Sequence, residues 1–168
     1  NMEGEIVKSF PGKEKSIKPT SKTGMNTFVW DMQYEPGEKI DGMILWNGTV
    51  GAPKAAPGRY TVRVRYGSDS AEVPFTILAD PNYKVSQAEY EEQVAFLLKV
   101  RNKFNDIQKT IKNIRALRTQ MNDLTARLDT MKSKDIRVQA DSIVKRLTRI
   151  EEHLYQTKLK AGQDILNY

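Results

Sequence analysis

The chain has 168 residues, which fits one or two domains, and its net charge is +6. It contains no cysteine and a single histidine, His153, so disulfides, thiolate metal sites and multi-histidine zinc sites are excluded. No apolar run approaches the roughly 18 residues of a membrane-spanning helix, and no N-terminal signal pattern is present. We therefore expect no membrane insertion, no bound metal and no cofactor.

The sequence changes character near residue 82. All seven prolines and every glycine except Gly162 lie before that point, so short elements are predicted first and long helices afterwards. Residues 1–82 carry equal numbers of acidic and basic residues, and the whole positive excess lies in residues 83–168. We predict two domains with these bounds. Because the chain begins at Asn1, we also expect it to be a piece of a longer protein.

Residues 1–82 contain several short apolar runs that are typical of strands. The clearest is residues 58–66, in which Tyr60, Val62 and Val64 alternate with polar residues. The glycine and serine residues that follow this run predict a hairpin turn. A series of strands at this spacing predicts an immunoglobulin-like β-sandwich. The other predicted strands are Glu5–Phe10, Met25–Met32, Gly42–Trp46 and Ala71–Leu78.

Residues 83–168 are predicted to form two helices. Ser86 and Glu89 match a capping box, which marks a helix start. Apolar residues then recur at steps of three and four, which predicts a helix over about residues 86–131 and a second over about residues 136–160. The short turn between them favours an antiparallel pair. The predicted fold class is α+β and multidomain, with an Ig-like β-sandwich followed by a long antiparallel helical hairpin.

The start of the first predicted helix carries a candidate interface. The second helix is shorter and can cover only the C-terminal part of the first, so the start needs another cover. The sandwich, the tail after Gly162 and another chain all remain open, and a second copy would form a coiled-coil homodimer through the helices. The predicted interface residues are Phe96, Leu97, Val100, Phe104 and Ile107.

Aromatic residues supply a second candidate site, on which the rings of a glycan could stack. Trp30 alternates with Phe28 and Met32, and we therefore predict that it faces the core. Trp46 stands next to a glycine-rich loop and is the better candidate for exposure. The predicted stacking residues are Trp46, Tyr34 and Tyr66.

Charged residues give no clear catalytic set. Glycoside hydrolysis needs two carboxylates roughly 5–10 Å apart, but the acids from Asp31 to Asp41 are interpreted as turn caps and solvated loop residues. His153 is interpreted as a surface histidine on a helix exterior. The basic helix faces are interrupted by aspartates and carry no nucleic-acid motif, so we expect no nucleic acid partner. We predict no catalytic residue in the chain.

Three segments, taken in this order, resemble the C-terminal region of large bacterial BNR-repeat proteins. Those proteins are sortilin-like β-propellers that are often labelled glycosyl hydrolases. The resemblance implies an upstream propeller as the partner of this chain and an exported location, periplasmic or at the cell surface. The hydrolase label belongs to the propeller, so the resemblance transfers no catalytic residue. The segments are residues 24–34 (GMNTFVWDMQY), 42–46 with 56–62 (GMILW and APGRYTV), and 150–158 with 162–164 (IEEHLYQTK and GQD).

Two functions are therefore predicted from the sequence. The first is a non-catalytic C-terminal module that serves structure or protein interaction within a larger BNR-repeat protein. The alternative is a carbohydrate-binding module that targets the parent protein to a glycan. Exposure of the tryptophans would separate the two, because a glycan-binding surface needs exposed, coplanar rings.

Overall fold

The computed structural model describes residues 4–10, 19–45, 48, 50–129 and 132–164. Within these residues, the elements in chain order are β1 (Gly58–Tyr66), β2 (Asp69–Ile77), α1 (Gln87–Arg127) and α2 (Lys134–Leu154). Neither of the described helices is long and apolar enough to cross a membrane.

The prediction of an Ig-like β-sandwich is wrong. In the part of the chain that the structure describes, one sheet is present, and it contains only β1 and β2. An isolated bridge between Gln33 and Lys54 is the remaining β-type pairing. The predicted strands Glu5–Phe10 and Met25–Met32 do not form, and neither do the described residues of Gly42–Trp46. The fold is a small α+β arrangement of one hairpin and two helices.

Contacts within or beside two of those segments differ from those of a strand. The Lys22 N–H donates to Asn26 Oδ1 over 3.0 Å, and Asn26 Nδ2 donates back to the Lys22 carbonyl over 2.9 Å. Met32 then adopts a φ of 58°, which interrupts the extended backbone. Further on, the Ile44 N–H donates to the Tyr155 hydroxyl over 2.8 Å. The Tyr155 hydroxyl thus occupies a backbone donor of the predicted strand Gly42–Trp46 that a ladder would otherwise use.

The hairpin forms where the alternation predicts it. β1 and β2 pair antiparallel, with Tyr60 opposite Phe75 and Tyr66 opposite Asp69. Only Gly67 and Ser68 connect the strands, and Gly67 has a φ of 59°. A two-residue loop with glycine first is the arrangement of a type II′ turn, whose twist matches that of paired strands. Apolar residues consequently share one face of the hairpin and polar residues the other.

The chain divides into two compact units, which are described separately. Unit 1 comprises Asn1–Pro36 and Gly51–Arg101, and unit 2 comprises Gly37–Val50 and Asn102–Tyr168. In unit 1, the half-buried Trp30 ring meets Tyr60 and Phe75 edge-on, at centroid distances of 6.3 and 6.2 Å. The indole N–H donates to the Gln33 carbonyl over 2.9 Å. This aromatic cluster anchors the base of the hairpin.

Tyr60 is the buried member of that cluster. Its hydroxyl donates to the Ala56 carbonyl over 2.7 Å. Burial raises the pKa of Tyr60, and the nearby Tyr34 and Glu91 raise it further. The phenol therefore stays neutral and keeps its donated hydrogen bond at ordinary pH.

In unit 2 the two helices run antiparallel. Arg115 of α1 pairs with Glu151 near the end of α2, whereas Arg137 near the start of α2 donates to the Leu128 carbonyl just after α1. The later part of α1 therefore meets the start of α2, and the middle of α1 meets the end of α2. The buried apolar residues of this unit are Ile40, Ile111, Ile114, Ala140 and Leu159.

The predicted capping box at the start of α1 is confirmed. The Ser86 N–H and hydroxyl both donate to Glu89 Oε2, over 2.8 and 2.7 Å, and the Glu89 N–H donates to Ser86 Oγ over 3.3 Å. These bonds satisfy donors that a helix start leaves free. α2 ends where Tyr155 becomes extended, with φ −152° and ψ 135°, which is earlier than the sequence predicts.

The capping box makes the start of α1 sensitive to pH. The N–H of Ser86, followed by its hydroxyl, lowers the pKa of Glu89. A lowered carboxyl pKa stabilises the helix start above the unfolded-state pKa, and this contribution is lost as the pH falls through the folded-state pKa. We expect Ser86→Ala to raise the pKa of Glu89 and to increase fraying of the first turn. Carboxyl-carbon NMR titration and amide exchange measure both effects.

The matched control for this prediction is Ser133→Ala. Ser133 precedes α2 but makes no side-chain capping bond. This variant should leave both the Glu89 titration and the first turn of α1 unchanged. An unchanged Glu89 pKa in Ser86→Ala would contradict the role assigned to the serine.

Candidate interaction surfaces

Of the predicted sugar-stacking residues, the structure describes Tyr34 and Tyr66, both of which belong to unit 1. Tyr66 lies at the loop end of the hairpin with 78% of its surface exposed. Tyr34 is half-buried, and its N–H donates to the Pro53 carbonyl over 2.9 Å. Trp46 lies outside the described residues, and Trp30 is committed to the aromatic cluster of unit 1. Glycan stacking on Trp46, Tyr34 and Tyr66 stays a prediction.

Two of the acids considered as catalytic candidates, Asp31 and Glu35, bind backbone N–H groups of nearby loops. Asp31 Oδ1 accepts a hydrogen bond from the Gln33 N–H over 3.0 Å and lies 3.5 Å from Lys8 Nζ. Glu35 Oε1 accepts one from the Ser9 N–H over 3.4 Å. These contacts lie within unit 1 and fix the path of its extended segments.

The remaining two acids of that cluster belong to unit 2. Glu38 Oε2 lies 3.7 Å from Lys112 Nζ, and the Asp41 carbonyl accepts a hydrogen bond from Arg115 over 3.4 Å. Both contacts attach the 37–50 segment to α1. Glu38 thus makes a side-chain contact with α1, whereas the contact of Asp41 is made by its backbone carbonyl.

His153 lies on the exposed side of α2. Its Nδ1 is 2.7 Å from the Arg149 carbonyl, one helical turn earlier. In the described ranges no three or more histidine, cysteine, aspartate or glutamate side chains could hold a metal ion together. The geometry around His153 is that of a histidine on a solvated helix face.

The predicted helix interface divides into an exposed part and a covered part. In unit 1, Phe96 and Val100 are 64% and 51% exposed, and Leu97 is also exposed. In unit 2, Phe104 and Ile107 are half-buried. The ring of Phe104, together with Val50, lies so close to Gly37 that a Cβ added there would clash. The 37–50 segment thus covers Phe104, whereas the start of α1 keeps an apolar surface.

A second apolar surface lies on the hairpin, and the sequence predicted it only as an inward-facing part of a sandwich. Val62 is 48% exposed and Val64 is 61% exposed, and Val73 opposite Val62 is exposed as well. Alternation identified this face correctly, but the second sheet expected to cover it is not present in the described residues. We call Val62, Val64, Tyr66 and Val73 the hairpin face.

A buried ion cluster in unit 2 was missed by sequence reasoning. Glu151 is 2% exposed, and its two carboxylate oxygens lie 2.7 Å from Arg115 Nε and 2.7 Å from Arg118 Nη2. The Arg115 guanidinium also lies 6.0 Å from the centroid of the Tyr155 ring. In the sequence, Glu151 stands in an ordinary run of polar helix residues, and only its partners on the other helix distinguish it.

The same cluster attaches the 37–50 segment to the helices. The Ile44 N–H donates to the Tyr155 hydroxyl oxygen over 2.8 Å, and the Glu38 N–H donates to Asn105 Oδ1 over 2.7 Å. Arg115 reaches the Asp41 carbonyl, as noted above. Three separate backbone groups of the segment thus bond to side chains of the helical hairpin and its C-terminal extension.

Comparison of this chain with models of known protein families, with curated proteins and with solved structures finds no match in any of the three.

The ion cluster generates a prediction about stability. Glu151→Gln keeps the shape of the side chain but leaves two arginines without their carboxylate, and removing one partner of a buried pair is strongly destabilising. The arginines are partly exposed, so solvent offsets part of the loss. We expect the free energy of unfolding to fall by about 2–3 kcal/mol, measured by urea denaturation.

Glu152→Gln is the matched control, because Glu152 is the adjacent acid and is exposed. Its substitution should change the free energy of unfolding by less than about 0.5 kcal/mol. Equal effects of the two substitutions would contradict the structural role of Glu151.

Proposed function

We propose that this chain is a non-catalytic module for structure and protein interaction within a larger protein. The observation that carries the proposal is apolar exposure in unit 1, on the hairpin face and at the start of α1. Contiguous exposed apolar surface costs free energy in water and is typical of sites that another protein covers.

The physical state of the hairpin supports the same proposal. A two-stranded sheet on its own is marginally stable in water and gains stability when a face is packed. Only its base is packed in the described residues, on the cluster of Trp30, Tyr60 and Phe75. A partner that covers the remaining hairpin face would supply the missing packing.

The parent protein proposed here is a bacterial BNR-repeat, sortilin-like protein. This part of the proposal is supported by the sequence resemblance of residues 24–34, of residues 42–46 with 56–62, and of residues 150–158 with 162–164. It makes the upstream propeller the covering partner and an exported location the place of action. Hydrolysis, if the parent carries it out, would belong to the propeller.

The non-catalytic part of the proposal is tested with the chain by itself. We expect no turnover on a panel of aryl glycosides and oligosaccharides, because Asp31 and Glu35 already bind Gln33 and Ser9 backbone groups. Product release is measured for the native chain and for Asp31→Asn. Turnover by the native chain that disappears in Asp31→Asn would overturn the proposal.

The interaction part is tested by comparing a proposed contact residue with a core residue. We expect Phe96→Ser to change the free energy of unfolding by less than about 0.5 kcal/mol, because Phe96 is exposed. Ile111→Ala, at a fully buried position, should cost about 2–5 kcal/mol. Urea denaturation measures both, with helix content by circular dichroism as the check on folding.

A loss in Phe96→Ser as large as that in Ile111→Ala would make Phe96 part of the core and would contradict its assignment to an interface. Sedimentation velocity of the native chain then distinguishes a second copy from a different partner as the molecule that covers this surface. A monomer leaves the surface to a different partner, whereas a dimer that Phe96→Ser dissociates would assign it to a second copy.

A further inference from the structure

The outer edge of β1 is open in the described part of the chain. β1 pairs only with β2 among those residues, and every residue from Thr61 to Tyr66 is exposed. A strand edge of this kind presents a row of backbone donors and acceptors to which another strand can bind.

Pro74 determines which backbone groups point outward. It lies opposite Thr61 and has no N–H, so this pair cannot exchange ladder hydrogen bonds. Hydrogen-bonded and non-hydrogen-bonded pairs alternate along an antiparallel ladder. The two-residue loop leads to the same assignment, because the pair that flanks such a loop is hydrogen-bonded. The backbone groups of Thr61 and Arg63 therefore point away from β2. The backbone groups of Arg59 and Arg65, which lie two positions further along on either side, point the same way.

The two edges of the hairpin consequently differ. On β1, all four outward-pointing residues have an N–H group, so the row of donors is unbroken. On β2, Pro74 stands in the corresponding outward position and removes a donor from the middle of the row. A strand that adds to this hairpin would therefore bind to β1.

The charge on β1 specifies the chemistry of the added strand. Arg59, Arg63 and Arg65 share the polar face of the hairpin. Arg63 pairs with Glu72 across the strands, whereas no ion pair is found for Arg59 or Arg65 within the described residues. A strand bound to β1 would place alternate side chains beside these arginines, and the side chains between them would continue the hairpin face.

We propose that the β1 edge binds an extended protein segment in which acidic and apolar residues alternate. The acidic residues would lie beside Arg59 and Arg65, and the apolar residues would extend the hairpin face. The inference rests on the proposed interaction function and names the partner class for one of its surfaces. A second copy fits the edge poorly, because antiparallel β1–β1 pairing would place the arginines of both copies side by side.

The experiment uses the full chain and synthetic peptides of the length of β1. The probe alternates glutamate with valine, and two controls replace glutamate by lysine or scramble the order of the residues. Binding is followed by fluorescence anisotropy of the labelled peptide, and two-dimensional NMR reports the amide exchange of Thr61, Arg63 and Arg65. We expect only the alternating acidic peptide to bind and to protect those amides.

Two variants separate the backbone contribution from the charge contribution. Thr61→Pro removes one outward N–H that makes no hydrogen bond to β2, as Pro74 does on the other strand. Arg59→Glu with Arg65→Glu reverses the unpaired charges and leaves the backbone intact. Each variant is expected to weaken binding of the acidic peptide about tenfold or more. Thr61→Pro does so by loss of an edge hydrogen bond, and the double charge reversal does so by repulsion.

The matched control reverses the charge of two exposed arginines of α2, by Arg146→Glu with Arg149→Glu. It changes the net charge by the same amount and should leave binding within about twofold of the native value. Cross-strand contacts between Val62 and Val73 in NMR spectra verify that each variant keeps the hairpin. The result that would overturn the inference is no binding of the acidic peptide, binding that both edge variants retain, or equal binding of the lysine peptide. Self-association through β1 in the absence of peptide would overturn it as well.

These outcomes are distinguishable from failure of the proposed function. The glycoside assay and the Phe96→Ser comparison test that function on other residues and without a peptide. If both behave as expected and the acidic peptide does not bind, the interaction function stands and the β1 partner class is wrong.

Discussion

The structure of unit 2 depends on the burial of one carboxylate. Removing Glu151 from water is costly, and the cost is offset only because two guanidinium groups reach its two oxygens. That requirement fixes the register of the two helices, since Arg115 and Arg118 lie one turn apart on α1 and must both face the same point of α2. Apolar contacts alone tolerate sliding of one helix along the other, whereas a paired buried charge favours a single register.

Unit 1 follows a different principle. Its extended segments are held by individual polar side chains that bond to nearby backbone groups, and its β-hairpin is anchored by three aromatic rings. This arrangement satisfies backbone groups locally but buries little apolar surface around the far end of the hairpin. The apolar residues of the strands therefore remain in solvent on the same face as the cluster, nearer to the loop end of the hairpin.

The sequence predicted the elements whose signals are local. Strict alternation and the Gly67-Ser68 pair identified the hairpin, and the spacing of Ser86 and Glu89 located the start of α1. The sandwich was wrong because short apolar runs carry no information on whether a neighbouring strand exists. In the run Met25–Met32, the positive φ of Met32 also interrupts the extended backbone. Glu151 could not be found, because its burial depends on arginines that lie far away along the chain. Trp46 lies outside the described residues, so the aromatic site keeps only its sequence argument.

The position of Pro74 also bears on how this hairpin behaves when many copies meet. Growth of a fibre by edge-to-edge pairing needs two competent edges on every subunit, so that each newcomer offers a fresh template. With one side of each hairpin interrupted, a subunit that joins a stack through its intact side exposes its interrupted side to the next. The interruption at Pro74 therefore works against the growth of such a fibre.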